Sequence, residues 1–256
     1  MKTDSFQQNA LSILGMLSLL ALPLDLYSQS DDFNDGNDDG WTRFGLNAAG
    51  LPPANFSFPD DGTGGKAYRI LVPAPPVPDA GPARAFVYRK DVTYTNFYVA
   101  VDIITWDNTL NQAFGFLIRA DDIGLGQTTG YVMNYDPNQA SGGRGQFQIN
   151  RIISENPTTI AGANISLDPN RRYRFVMTGI GSILIGRVYD LTDLTAPVVT
   201  IMADDGTYPS GFIGVFNFSR VNAASYTNPT TGKADTTFDN FVLTAGPPIS
   251  VPEPGT

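Results

Sequence analysis

The sequence predicts an all-β protein, and three observations carry that expectation. About thirteen short runs between Asp31 and Ala245 are rich in β-branched and aromatic residues. They are bounded by Gly, Pro, Asn or Asp, the residues that end strands and make turns. No stretch in that interval shows a convincing helical repeat. Many short strands at near-regular spacing indicate a sandwich or a barrel.

Taken in order, the candidate strands begin with WTRFG (Trp41–Gly45), NFSF (Asn55–Phe58), KAYRILV (Lys66–Val72) and ARAFVYRK (Ala83–Lys90). FYVAVDIITW (Phe97–Trp106) is β-branched and aromatic throughout. FGFLIRA (Phe114–Ala120), GYVMNY (Gly130–Tyr135) and GQFQINRII (Gly145–Ile153) follow. In the last of these, Phe147 and Ile149 point one way and Gln146, Gln148 and Asn150 the other. The set closes with RYRFVMTGI (Arg172–Ile180), ILIGRVYD (Ile183–Asp190), PVVTIMA (Pro197–Ala203), GFIGVFNF (Gly211–Phe218) and TFDNFVLT (Thr237–Thr244). The proline-rich segment Leu71–Pro82 cannot be a central strand and reads as a surface crossing.

Composition narrows the chemistry. The 256 residues include no Cys and no His, which removes thiol nucleophiles, disulfides, the Ser-His-Asp triad and the usual transition-metal ligands. Only Glu155 and Glu253 are glutamates, so the acidity is almost all Asp. A net charge of −9 argues against nucleic acid or anionic lipid as partners.

The two ends read as addresses. The apolar run Leu11–Leu24 is short for a membrane span and sits where a secretory leader would, with Ser28 and Ser30 suiting cleavage before Asp31. The expected organisation is therefore a leader over 1–30, one domain over 31–245 and a Pro-rich tail over 246–256. In that tail Val251-Pro252-Glu253-Pro254 resembles the start of the PEP-CTERM sorting signal. The resemblance implies the cell surface of a Gram-negative bacterium, with membrane attachment only through an anchor beyond Thr256.

The order of the strands resembles a laminin-G-like, concanavalin-A-like jelly roll. The opening DDFNDGNDDGW (Asp31–Trp41), FGFLIRADD followed by GYVMNYD (Phe114–Asp136), YPSGFIGVFN (Tyr208–Asn217) and TTFDNFVLT (Thr236–Thr244) carry it. It implies a two-sheet antiparallel sandwich with first and last strands side by side and one concave face.

Three chemistries can be weighed on that frame. Asp35-Gly36-Asn37-Asp38-Asp39-Gly40 places oxygens at alternate positions, as a calcium loop does, but Leu46 stands where an EF-hand needs a bidentate Glu. The resemblance implies a different calcium site, between Asp31 or Asp32 on the first strand and Asp239 on the last. Glycoside hydrolysis needs two placed carboxylates. Glu155 reads as turn-like and unaccompanied, and the pairs Asp60/Asp61, Asp121/Asp122 and Asp204/Asp205 sit in turn sequences. Sugar recognition needs an aromatic plate beside planar polar groups. Tyr98, Asp102 and Trp106 share a face by two-residue counting, and Arg119, Asn134, Gln148 and Asn150 on neighbouring strands could line it. Asp102, set among apolar residues, must be paired or wet.

The expected function is a secreted or surface-bound, non-catalytic binding module for polysaccharide or other cell-surface proteins, with a structural calcium. The alternatives are a self-assembling matrix protein and a glycan-active enzyme using Asp.

Overall fold

The computed structural model describes residues 28–45, 52–74, 83–140, 144–220 and 232–246. The expected leader before Ser28, the Pro-rich tail after Gly246 and most of the proline-rich crossing lie outside these residues. Among the described residues there are fifteen strands and no helix.

Two antiparallel sheets form a sandwich. The first runs β13 (Val199–Asp204), β12 (Ile183–Asp190), β11 (Tyr173–Ile180), β6 (Phe97–Trp106), β15 (Ala234–Ala245), β4 (Tyr68–Val72) and β3 (Asn55–Ser57). Strand β1 (Ser28–Asp31) lies beside β15, so first and last strands are neighbours. The second sheet runs β10 (Asn156–Asn164), β9 (Arg144–Ile153), β8 (Thr129–Ala140), β7 (Gln112–Asp121), β14 (Gly211–Ser219), β5 (Arg84–Tyr94) and β2 (Thr42–Gly45). The expected strands are all present, and β1 and β10 are additions. β10 contains Pro157 and Gly162, which a central strand would not tolerate but an edge strand does. Ser28–Ser30, assigned by sequence to the leader, form most of β1.

Alternate residues of each sheet meet between the layers. Val99, Val101, Ile103, Phe175 and Met177 of the first sheet pack against Phe114, Phe116, Tyr131, Met133 and Phe147 of the second. The outer face of the second sheet is also apolar in part, where Phe86, Leu117, Val132 and Phe216 form a separate cluster.

Bulges redirect two residues expected on a shared binding face. Opposite β15, Thr237 pairs with Thr105 and Phe238 with Ile103, so Ile104 is extra. The extra residue reverses the alternation beyond it. Trp106 therefore points inward and packs on Phe114, Tyr135 and Tyr173 at 5.8, 6.2 and 5.9 Å between ring centroids. Arg119 lies in a second irregularity, between Ile118 and Asp121, with φ of 44°. Its side chain is 0% exposed and donates to the carbonyls of Tyr208 (3.1 Å), Gly181 (2.8 Å) and Thr95. The guanidinium sits 5.5 Å from the Phe97 ring centroid. It cross-ties three loops and cannot reach a ligand.

Charged hydrogen bonds contribute about 1.5–3 kcal/mol each, and truncation leaves a void as well as three orphan carbonyls. Arg119→Ala is therefore expected to lower unfolding free energy by about 3–5 kcal/mol, read from urea denaturation. A loss below about 1 kcal/mol would show that water can replace the cross-tie.

Candidate functional site: a groove on the second sheet

The groove is built by register. Across the outer face of the second sheet, Gln148 pairs with Asn134, Asn134 with Gly115, Gly115 with Phe216, Phe216 with Phe86, and Phe86 with Phe44. One cross-strand row thus reads amide, amide, glycine, then three phenylalanines. Gly115 sits at the middle of this row, and Ala113, Leu117 and Val132 on the same and the adjacent strand line the cavity. A Cβ on Gly115 would lie 2.1 Å from the Met133 carbonyl oxygen, and its φ of 152° suits glycine. The next residues outward on β14 and β5 are Phe218 and Arg84, which pair with each other. The result is a cavity of about 530 Å³ with an aromatic wall of Phe86, Phe216 and Phe218, an aliphatic part with Ala113, Leu117 and Val132, and a polar wall.

The polar wall is a continuous hydrogen-bonded series. Asn134 donates through Nδ2 to Asp136 Oδ1 at 2.8 Å. Asn150 Nδ2 donates to Asn134 Oδ1 at 2.8 Å and to Gln148 Oε1 at 3.3 Å. Gln148 donates to Gln146, and Thr159 of β10 donates to Asn150 Oδ1 at 2.7 Å. Asp136 is fully buried, and Arg220 donates to its second oxygen. Burial pushes the Asp136 carboxyl up to about 6, and Arg220 and Asn134 pull it back only in part.

A clasp bridges the rims. Arg84 pairs with Glu155 through both carboxylate oxygens, Nε to Oε1 at 2.7 Å, and Gly126 of the β7–β8 loop donates to the same group. Arg84 is on β5 and Glu155 in the β9–β10 turn. Four strand spacings separate β5 from β9, roughly 19 Å in a flat sheet. No such pair could form unless the sheet curled, so the groove face is concave. Ser154 and Glu155 both have positive φ, 48° and 64°, in a two-residue hairpin turn of a kind that favours Asn and Gly. Glu155 is thus not unaccompanied, as its sequence context suggested: its partner is 71 residues away.

The seven residues expected on one binding face are divided. Asn134, Gln148 and Asn150 come together in the groove. Trp106 and Arg119 are interior, as described above. Tyr98 and Asp102 lie on the outer face of the other sheet. There Asp102 is paired as expected, with Arg174 opposite it, at 2.7 and 2.9 Å. The aromatic wall went unread because GFIGVFNF carries aromatic or apolar residues on both faces.

The calcium candidates also separate. Asp35 and Asn37 each accept the backbone N–H two residues ahead through Oδ1, at 3.1 and 2.8 Å, closing consecutive Asx turns. Asp31 accepts from Phe33 N and from Trp41 Nε1 at 2.7 Å. Among the described residues no three carboxylates gather closely enough to hold a metal by side chains alone. Asp239 differs. It lies directly opposite Asp102 on β6, and the negative charges of Asp61 and Asp32 also act on it. Burial chiefly, then these three charges, push it up to about 7 against one backbone hydrogen bond, from Asn240.

A second cleft, about 470 Å³, lies on the first sheet beside Thr105, Thr237 and the loop at Asp60–Gly62. Its Arg69 is already paired with Asp235, and Asp61 is held by its own loop.

No family model matches the chain, and no curated protein matches it. Solved structures do. The carbohydrate-binding module CBM66 of Bacillus subtilis matches with TM-score 0.52 and 17% identity, covering 80% of this chain and 96% of that one. The Ulex europaeus lectin II matches with TM-score 0.53 and 11% identity over 86% and 98%. The exoplasmic domain of VIP36, bound to Ca2+ and Man2, matches with TM-score 0.54 and 12% identity over 89% and 92%. A Bacillus halodurans xylan β-1,4-xylosidase also matches, but the chain covers only 41% of it. At these identities the likeness is one of fold: the chain is a two-sheet antiparallel β-sandwich of the concanavalin-like jelly-roll kind.

The Asp136 carboxyl gives a signed expectation for stability. Its folded value lies above the ordinary value near 3.9, so between about 4 and 6 the fold holds a proton that the unfolded chain has lost. Stability from this group is present below that window and falls as pH rises through it. Melting temperatures of wild type and Asp136→Asn should therefore shift in favour of the variant from pH 4 to pH 7. A gap that is constant with pH would contradict this.

Proposed function

We propose that the protein is a non-catalytic carbohydrate-binding module whose site is the groove on the second sheet. The carrying observation is the cross-strand row of amides, glycine and phenylalanines. Saccharide rings offer apolar C–H faces to aromatic walls and hydroxyls to planar amides, so one wall of each kind in a single concave groove suits a sugar chain. Each guanidinium lining the groove is matched by a carboxylate, Arg84 by Glu155 and Arg220 by Asp136, which favours a neutral glycan over a charged one. The lectin and binding-module neighbours support the same reading through fold alone.

The wider setting belongs to this proposal. The leader-like apolar run and the PEP-CTERM-like tail support a secreted or surface-held protein of a Gram-negative bacterium, organising extracellular polysaccharide or meeting other surface proteins. The laminin-G resemblance belongs with it as the finer family assignment. A calcium ion at Asp239 is also proposed. The Asp239 carboxyl is buried and sits among neighbouring negative charges, and a carboxylate oxygen is the kind of donor a hard cation takes, with backbone carbonyls to complete the shell.

Binding is tested by isothermal titration with neutral hexasaccharides of the cellulose, xylan, mannan and galactan series. At least one should bind, and Asn134→Ala and Phe218→Ala should each weaken it about tenfold, or about 1.4 kcal/mol. Thr200→Ala on the other sheet should leave it unchanged. Trp106→Ala is unsuited to this test because it would hollow the core. Failure of all four series to bind, or binding indifferent to both groove variants, would defeat the proposal. For calcium, millimolar Ca2+ should raise the wild-type melting temperature and leave Asp239→Asn unmoved; equal responses would remove the ion from this site.

A further inference from the structure

We propose that Asp136 is a positioning residue that orients the amide side chains of Asn134, Asn150 and Gln148 in series, and so sets which donors the groove wall presents. The argument begins with what an amide is: a donor at one end and an acceptor at the other, so that turning one in a hydrogen-bonded row obliges the next to turn. An ionised carboxylate only accepts. Asn134 must therefore offer its NH2 to Asp136, which leaves its Oδ1 facing Asn150. Asn150 answers with both of its N–H bonds, one to Asn134 and one to Gln148, and its own oxygen takes the Thr159 hydroxyl. Gln148, its oxygen occupied, directs its NH2 toward Gln146. Asn134 and Gln148 are each left with one N–H beyond these bonds. On the reading of the groove as a glycan site, these two N–H groups meet acceptor oxygens of a neutral saccharide.

Asp136 is suited to this because it is buried and held from outside. Arg220 takes its second oxygen from beyond the end of β14, and this guanidinium is the only charged group bonded to it among the described residues. The residue opposite it on β9 is the uncharged Gln146. Tyr135, the adjacent residue, is a phenol whose own ionisation burial pushes upward, so it stays neutral over the same range. Protonation turns Asp136 from an acceptor into a donor. Asn134 can then present its oxygen to it, and the row loses the reason for its polarity. Because the carboxyl is raised to about 6, this change falls in a mildly acidic range.

The experiment uses the side-chain amide resonances of 15N-labelled protein, which need no ligand. In wild type, the Asn134, Asn150 and Gln148 resonances should move together with one midpoint near pH 6. In Asp136→Asn they should show no step. Movement at Asn134 alone, or three unrelated midpoints, would overturn the proposal. If the variant does not fold, the wild-type titration decides by itself. The second arm measures the hexasaccharide that binds best at pH 7.5 and at pH 5.0. Affinity should fall about fivefold or more at the lower pH in wild type and stay constant in Asp136→Asn; equal pH dependence in the two would overturn the link to recognition. If no hexasaccharide binds, the glycan reading fails, while the amide titration still decides whether Asp136 orients the row.

Discussion

Side chains of a β-sheet change face at every residue, so the groove exists only while five adjacent strands keep one register. β9, β8, β7, β14 and β5 hold Gln148, Asn134, Gly115, Phe216 and Phe86 in a single row. A one-residue slip of any of them would send its groove residue into the core and bring a core residue out. The core is therefore what specifies the groove: Phe114, Phe116, Met133, Phe147 and Ile149 fit between the sheets in only one phase, and their neighbours in sequence are left to face the cavity. The curl of the sheet, held at its diagonal corners by Arg84 and Glu155, turns that row from a flat patch into a concavity.

Charge is handled in two ways. Most carboxylates are neutralised close to where the chain places them. Asp102 meets Arg174 across one ladder position, Asp235 meets Arg69, and many loop aspartates close turns on their own backbone. Asp31, Asp136 and Asp239 are left at a cost, each raised chiefly by burial. Asp239 sits among other negative charges, and Asp136 is buried more deeply than its one guanidinium partner can offset. Buried polar groups with imperfect compensation are uncommon where nothing requires them. Asp136 and Asp239 sit at the places where this chain has the strongest case for holding something other than itself.

Much of the architecture was legible because strands announce themselves by alternation. FYVAVDIITW and ILIGRVYD match β6 and β12 residue for residue, and the side-by-side first and last strands followed from the jelly-roll resemblance. The site was legible only where local alternation decided it. Asn134, Gln148 and Asn150 lie opposite core residues on their own strands, so two-residue counting put them on one outer face, though not on the face of Tyr98 and Asp102. Trp106 was misplaced because one extra residue, Ile104, resets the count, and a bulge leaves no mark in a run that is apolar on both sides of it. Glu155 and Arg84 could not be joined from sequence, since their meeting depends on the curl of a whole sheet. The aspartates of the opening loop have the spacing of a metal site, and the same spacing also closes consecutive turns, so the sequence alone reads both ways.

The pairing of β1 with β15 has a mechanical meaning. Ser28 stands opposite Thr244 in an antiparallel ladder, so the chain enters and leaves this part of the domain at the same place, on the sheet that does not carry the groove. A load pulling those two flanks apart would act on the terminal rung of the ladder and open it one hydrogen bond at a time, as a zip opens. A load between the C-terminal flank and an occupied groove would pass instead through the packed layers, along β15 and its long pairing with β6, where many bonds share the strain together. The domain is thus built to yield at its seam and to hold across its body.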